Sequence, residues 1–129
     1  MNEKTSTFIS VVDDDKSVVE ATVGLMESIG HEAKGFSSAE EFLNSTESRR
    51  TGCLILDIHM PGMSGLDLQR QLTSGESRIP IIFITGRCDE EVATQALQAG
   101  AVGLLVKPFN QESLLRVLQS ALGQQSTGG

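Results

Sequence analysis

Apolar and polar positions follow two rhythms along the chain. Five short apolar runs, rich in β-branched residues, stand at Phe8 to Val12, Glu32 to Phe36, Cys53 to Leu56, Ile81 to Ile84 and Gly103 to Val106, and each reads as a strand. Between and after them the spacing becomes helical. The first such stretch, Lys16 to Ile29, sets Val18, Val19, Thr22, Val23, Met26 and Ile29 on one face, and Gly30 ends it. Ser38 with Glu41 forms a candidate capping box, and Ser64 caps a third helix with Asp67 in its first turn. Asp89 precedes Glu90 and Glu91 at the start of a fourth helix, which Gly100 stops. The last helix follows Asn110 and turns Leu114, Leu115, Leu118, Ala121 and Leu122 inward.

Strict alternation of strand and helix requires crossover connections, hence a parallel sheet with helices on both faces. The runs LIL and IIFI are apolar at every position, as strands buried on both sides are, whereas Glu32 to Phe36 is weaker and belongs at an edge. The expected fold is α/β: a flavodoxin-like, doubly wound, five-stranded parallel sheet of order 2-1-3-4-5 with five helices. A length of 129 residues suits one domain. Its expected bounds are residues 8–122, after a disordered N-terminus at 1–7 and before a flexible tail or linker at 123–129.

Composition narrows the classes of function. Seventeen acidic residues against 10 basic give a net charge of -7, which disfavours direct binding to nucleic acid or to an anionic membrane. Trp and Tyr are absent, so no stacking platform for single strands is available. The two cysteines, Cys53 and Cys88, lack the spacing of zinc or redox motifs and fit a reducing cytosol. No stretch approaches the roughly 18 apolar residues of a membrane span, and the expectation is a cytoplasmic, soluble protein.

In a sheet of this order ligands bind beyond the carboxyl ends of the strands, where the strand order reverses between the first and third. The residues at those ends are Asp13 and Asp14, Asp57, Thr85 and Lys107. Three carboxylates in one crevice repel one another unless a hard cation sits among them, and a few carboxylates with several waters suit Mg²⁺. With the charge neutralised, one carboxylate can attack phosphorus. Asp57 is preferred for that role because it stands alone on the central strand, while the Asp13/Asp14 pair is placed to hold metal. Lys107 would share the phosphoryl charge and Thr85 would donate a hydrogen bond. Each feature alone also has a plain reading: Asp13 to Asp15 as a helix cap, where Asp15 is kept, Asp57 as a turn residue, Lys107 as a loop entering a helix. Their convergence favours chemistry.

The segments "VVDDD", "LILDIHMPGMSG", "IFITG" and "AGAVGLLVKPF", in this order and spacing, resemble the receiver domain of two-component response regulators, from about Thr7 to Leu122. "SSAEEFL" and "GMSGLDLQRQL" are similar to the FixJ-like group, whose members join a receiver to a helix-turn-helix output domain. The resemblance implies that Asp57 accepts a phosphoryl group from a histidine kinase, and that Asp13 and Asp14 serve a Mg²⁺ site with the backbone carbonyl of His59. It further implies that Lys107 contacts the phosphate, that Thr85 moves toward it, and that Lys107-Pro108 is cis. It implies a signalling module that catalyses its own phosphorylation and dephosphorylation, turns over no external substrate, and switches a face of α4, β5 and α5. Acidic residues near α4 and polar ones on α5 are compatible with a homodimer through that face on phosphorylation, and equally with a plain solvated surface. Leu104 departs from the pattern, standing where Tyr or Phe is usual. Two other classes compete: a haloacid-dehalogenase-type phosphatase using Asp13 in a D-x-D spacing, and a flavodoxin-like binding module without phosphoryl chemistry.

Overall fold

A computed structural model of the chain describes residues 7–75, 78–86 and 90–126, with side chains to residue 123. The elements are β1 (Phe8–Val12), α1 (Lys16–Ser28), β2 (Glu32–Phe36), α2 (Ala39–Leu43), β3 (Cys53–Asp57), α3 (Gly65–Ser74), β4 (Ile81–Thr85), α4 (Glu90–Gln98), β5 (Gly103–Val106) and α5 (Gln111–Ser126). All strand pairings are parallel and the order is β2-β1-β3-β4-β5. This is the expected flavodoxin-like order, and the weak run Glu32–Phe36 is an edge strand.

The sheet divides the core in two. Along β3, Leu54 and Leu56 face a layer with Val12, Phe36, Phe42, Leu68 and Phe83. Cys53 and Ile55 face the opposite layer with Ile9, Met26, Ile82, Leu114 and Leu118. Both faces of β3 and β4 are buried, which is why these strands show no polar alternation. Leu56 is fully buried. Leu56→Ala is expected to cost about 3 kcal/mol, read as a lower urea midpoint with an unchanged slope.

Local chemistry sets the helix ends. Asp15 caps α1, its carboxylate accepting from the Ser17 N–H at 3.0 Å. Ser64 and Asp67 complete the capping box of α3. At α2 the box is only half formed, since Ser38 accepts from the Glu41 N–H while the Glu41 carboxylate reaches back one residue further, to Ser37. Ile29, expected inward, is 42% exposed because it lies past the last turn of α1, at the C-cap. A 3₁₀ turn at Thr46–Arg50 between α2 and β3 had no signal in the sequence.

Helix α5 also departs from expectation. It runs on to Ser126 rather than stopping at Gly123. A glycine costs a helix about 1 kcal/mol and ends it most readily where the backbone turns left-handed, and Gly123 is not among the glycines with positive φ. The expectations for residues 1–6, for the Asp89 start of α4 and for residues 127–129 fall outside the described residues. Among the described residues no helix is long and apolar enough to cross a membrane.

Candidate functional site

Strand register does most of the assembly. Val12 pairs with Leu56, so the next residue of each strand, Asp13 and Asp57, lie side by side at the carboxyl edge. Asp57 pairs with Ile84, and Thr85 follows on β4. Thr85 pairs with Val106, and Lys107 follows on β5. The ladder continues past the strands to hold these positions, through Asp13 N–H to the Phe36 carbonyl at 3.1 Å, Ile58 N–H to Ile84 at 3.0 Å and Lys107 N–H to Thr85 at 2.7 Å. The Lys107-Pro108 peptide is cis.

Asp13, Asp57 and Thr85 are buried, with 0%, 3% and 3% exposure, whereas Asp14 is open to solvent. One oxygen from each of Asp13, Asp14 and Asp57 lies within 4.8 Å of the others. Lys107 Nζ sits 2.9 Å from Asp13 Oδ2 and 3.8 Å from Asp57 Oδ2. Asp13 Oδ1 accepts from the Asp15 N–H at 2.9 Å. Asp13 Oδ2 is buried and accepts no aligned hydrogen bond, so its contact with Lys107 is an ion pair. A buried carboxylate oxygen left in that state, beside two more carboxylates and open on the Asp14 side, is a donor set that fits a hard, oxygen-seeking cation.

The electrostatics point the same way. Burial, followed by the charge of Asp13, raises Asp57 to about 7, against the pull of Lys107 and of the His59 N–H. Burial alone would lower Lys107. Its contact with Asp13 and the charges of Asp57, Asp13 and Asp15 outweigh that, and the ammonium is held above its ordinary range. One cation does not balance three clustered carboxylates.

Every strand-end residue singled out in the sequence is thus at this edge of the sheet, and Asp15 is left to its cap. Two contacts were not legible in advance. Lys107 lies closer to Asp13 than to Asp57. The exposed His59 ring brings Nδ1 to 3.4 Å from Thr85 Oγ1, while the His59 backbone N–H lies 3.4 Å from Asp57 Oδ1. Leu104 is partly buried and packs against the layer that includes Phe83 and Ala96.

The comparisons with known proteins agree with this geometry. The family described as "Response regulator receiver domain" matches residues 9–119. The response regulator protein TmoT of Ectopseudomonas mendocina is 49% identical over 122 residues, which cover 95% of this chain and 55% of that protein. The transcriptional regulatory protein FixJ of Bradyrhizobium diazoefficiens is 33% identical over 120 residues, 93% of this chain and 58% of that protein. A solved structure of the response regulator StyR superposes with a TM-score of 0.86 at 41% identity, covering 95% of this chain and 62% of that one. The chain therefore spans little more than half the length of these curated relatives.

Proposed function

Because the chain belongs to the response regulator receiver domain family, we propose that it accepts one phosphoryl group on Asp57 from a histidine kinase in the presence of Mg²⁺. The observation that carries this reading is the gathering of the Asp13, Asp14 and Asp57 oxygens within 4.8 Å, with Lys107 Nζ 3.8 Å from Asp57.

Asp13, Asp14 and Asp57 would hold the metal together with the His59 carbonyl. A bound Mg²⁺ supplies charge neutralisation, both among the carboxylates and on the phosphoryl oxygens. An Asp57 oxygen then bonds to phosphorus as the P–N bond of the donor phosphohistidine breaks, and the leaving imidazole nitrogen keeps that electron pair. Lys107, now paired with Asp13, is close enough to turn its ammonium to the arriving oxygens. Thr85 would leave His59 Nδ1 and donate its hydroxyl to one of them. The domain works on itself rather than on an external substrate.

The consequence is a shift between two arrangements of the face made by α4, β5 and α5. Leu97 on α4 and Val106 on β5 are 48% and 40% exposed, two of the three large hydrophobic side chains found exposed among the described residues. That is apolar surface for a second copy once phosphorylated. In a longer protein, as in the transcriptional regulators among the relatives, the output would be control of transcription by a DNA-binding domain.

Incubation with acetyl phosphate and Mg²⁺, followed by peptide mapping, tests the reading. One phosphoryl group per chain on Asp57, and none when the metal is chelated beforehand, is the expected result. Label on Asp13 would instead support the phosphatase alternative, and no label would leave a binding module or a fixed scaffold.

A further inference from the structure

Helix α3 carries a polar residue where its inward stripe calls for an apolar one. Leu68 is fully buried and Leu72 packs into the same layer, yet Gln69 between them, only 2% exposed, is a carboxamide. A buried amide needs partners, or it costs more than an apolar side chain would. Gln69 Nε2 donates to the carbonyl of Ala96 at 3.1 Å, across 27 residues of sequence.

The acceptor is well chosen. Ala96 is the only buried residue of α4. Its carbonyl also takes the Ala101 N–H at 3.1 Å, in the turn where Gly100 (φ +110) closes the helix and donates to Leu97 at 3.0 Å. Only a residue without Cβ enters that left-handed turn freely. Both lone pairs of one carbonyl are thus occupied, one by the helix's own ending and one by its neighbour. At its other end α4 begins at Glu90, five positions after Thr85.

We propose that Gln69 is a positioning residue that pins the C-terminal end of α4 to α3, so that a displacement beginning at Thr85 turns α4 about Ala96 instead of sliding or unravelling it. This rests on the phosphorylation reading given above. Because the pinned end stays with α3, the displacement is concentrated at the end nearest Asp57. Leu97, next to the pin and exposed, would be reoriented on the output face rather than carried away from it.

Two variants test it, Gln69→Met, which keeps length without donors, and Gln69→Glu, which keeps shape but sets a carboxylate against the carbonyl. In each, amide hydrogen exchange at Ala99, Gly100 and Ala101 is expected to quicken about tenfold, with exchange at Leu54 in the central strand unchanged and label still acquired at Asp57. In the wild type with Mg²⁺ and beryllofluoride, backbone NMR shift changes along α4 are expected to fade from Glu90 toward Ala96, and in the variants to extend through Gly100. Unchanged exchange in both variants, or wild-type changes as large at Ala101 as at Glu90, would overturn the pin. Should the wild type take no beryllofluoride, the reading of Asp57 falls, while the exchange result still decides whether Gln69 holds α4.

Discussion

The Asp57→Asn variant is expected to fold fully and to take no phosphoryl group from acetyl phosphate at any Mg²⁺ concentration. The carboxamide has nearly the same shape but no anionic oxygen to attack phosphorus, so the loss is complete rather than graded. Stability should move the other way. Without metal, Asp57 is raised to about 7 by burial and by the neighbouring Asp13 charge, while an unfolded aspartate sits near about 3.9. The folded protein therefore binds the Asp57 proton more tightly than the unfolded chain does. That contribution is fully present below about pH 4 and is lost as the pH rises through about 7. Asparagine has nothing to lose. With about 1.4 kcal/mol at stake for each pKa unit, chelator-treated Asp57→Asn at pH 8 should melt at least about 5 °C above the wild type, and the gap should close near pH 4. Thermal scans at the two pH values measure it; a wild type as stable as the variant at pH 8 without metal would mean that the three carboxylates do not strain the fold. Adding Mg²⁺ should narrow the gap from the wild-type side, because only that protein offers all three carboxylates.

The sequence disclosed most of this site because strand ends and register are written in the same pattern. Short runs that are apolar at every position and rich in β-branched residues suit strands covered on both faces, and once β1 and β3 are neighbours the acids that end them must meet, as Asp13 and Asp57 do. Lys107 and Thr85 follow by the same logic from β4 and β5. What stayed hidden depends on side-chain direction rather than on position. Nothing in the order of residues says that Lys107 prefers Asp13 to Asp57, that His59 Nδ1 comes within 3.4 Å of the Thr85 hydroxyl, or that Glu41 reaches past Ser38 to Ser37. Helix ends failed for a related reason. Gly30 and Gly100 stop helices because their backbones turn left-handed there, and Gly123 does not stop α5 because its backbone remains helical. Gln69 shows the limit most plainly, since within α3 it reads as one more surface glutamine until its partner 27 residues away is in view.

Gly65→Ala is expected to separate the requirement at this edge from ordinary helix propensity, because the two predict opposite signs. Gly65 opens α3, and alanine should favour that helix by about 1 kcal/mol. A Cβ at this position, however, would run into the carbonyl oxygen of Asp57 and lie 2.9 Å from Ile58 Cα and 3.1 Å from the Asp57 carbonyl carbon. All three atoms are backbone, so no rotamer change relieves them, and the hydrogen bond from Gly65 N–H to the Ile58 carbonyl at 2.8 Å ties the same two segments together. Either α3 is pushed off the sheet or the end of β3 shifts, and Asp57 moves in both cases. Overpacking of this kind costs about 1–3 kcal/mol, and a displacement on the order of 1 Å at the reacting oxygen lowers the rate about a hundredfold. Urea unfolding should therefore show a net loss of stability, and acetyl phosphate labelling should slow by about two orders of magnitude. Gly24→Ala on α1 supplies the contrast, because a Cβ there meets nothing within 4 Å, and it should stabilise by up to about 1 kcal/mol without touching the labelling rate. If both glycines responded alike, the close approach of α3 to the end of β3 would not be what places the nucleophile.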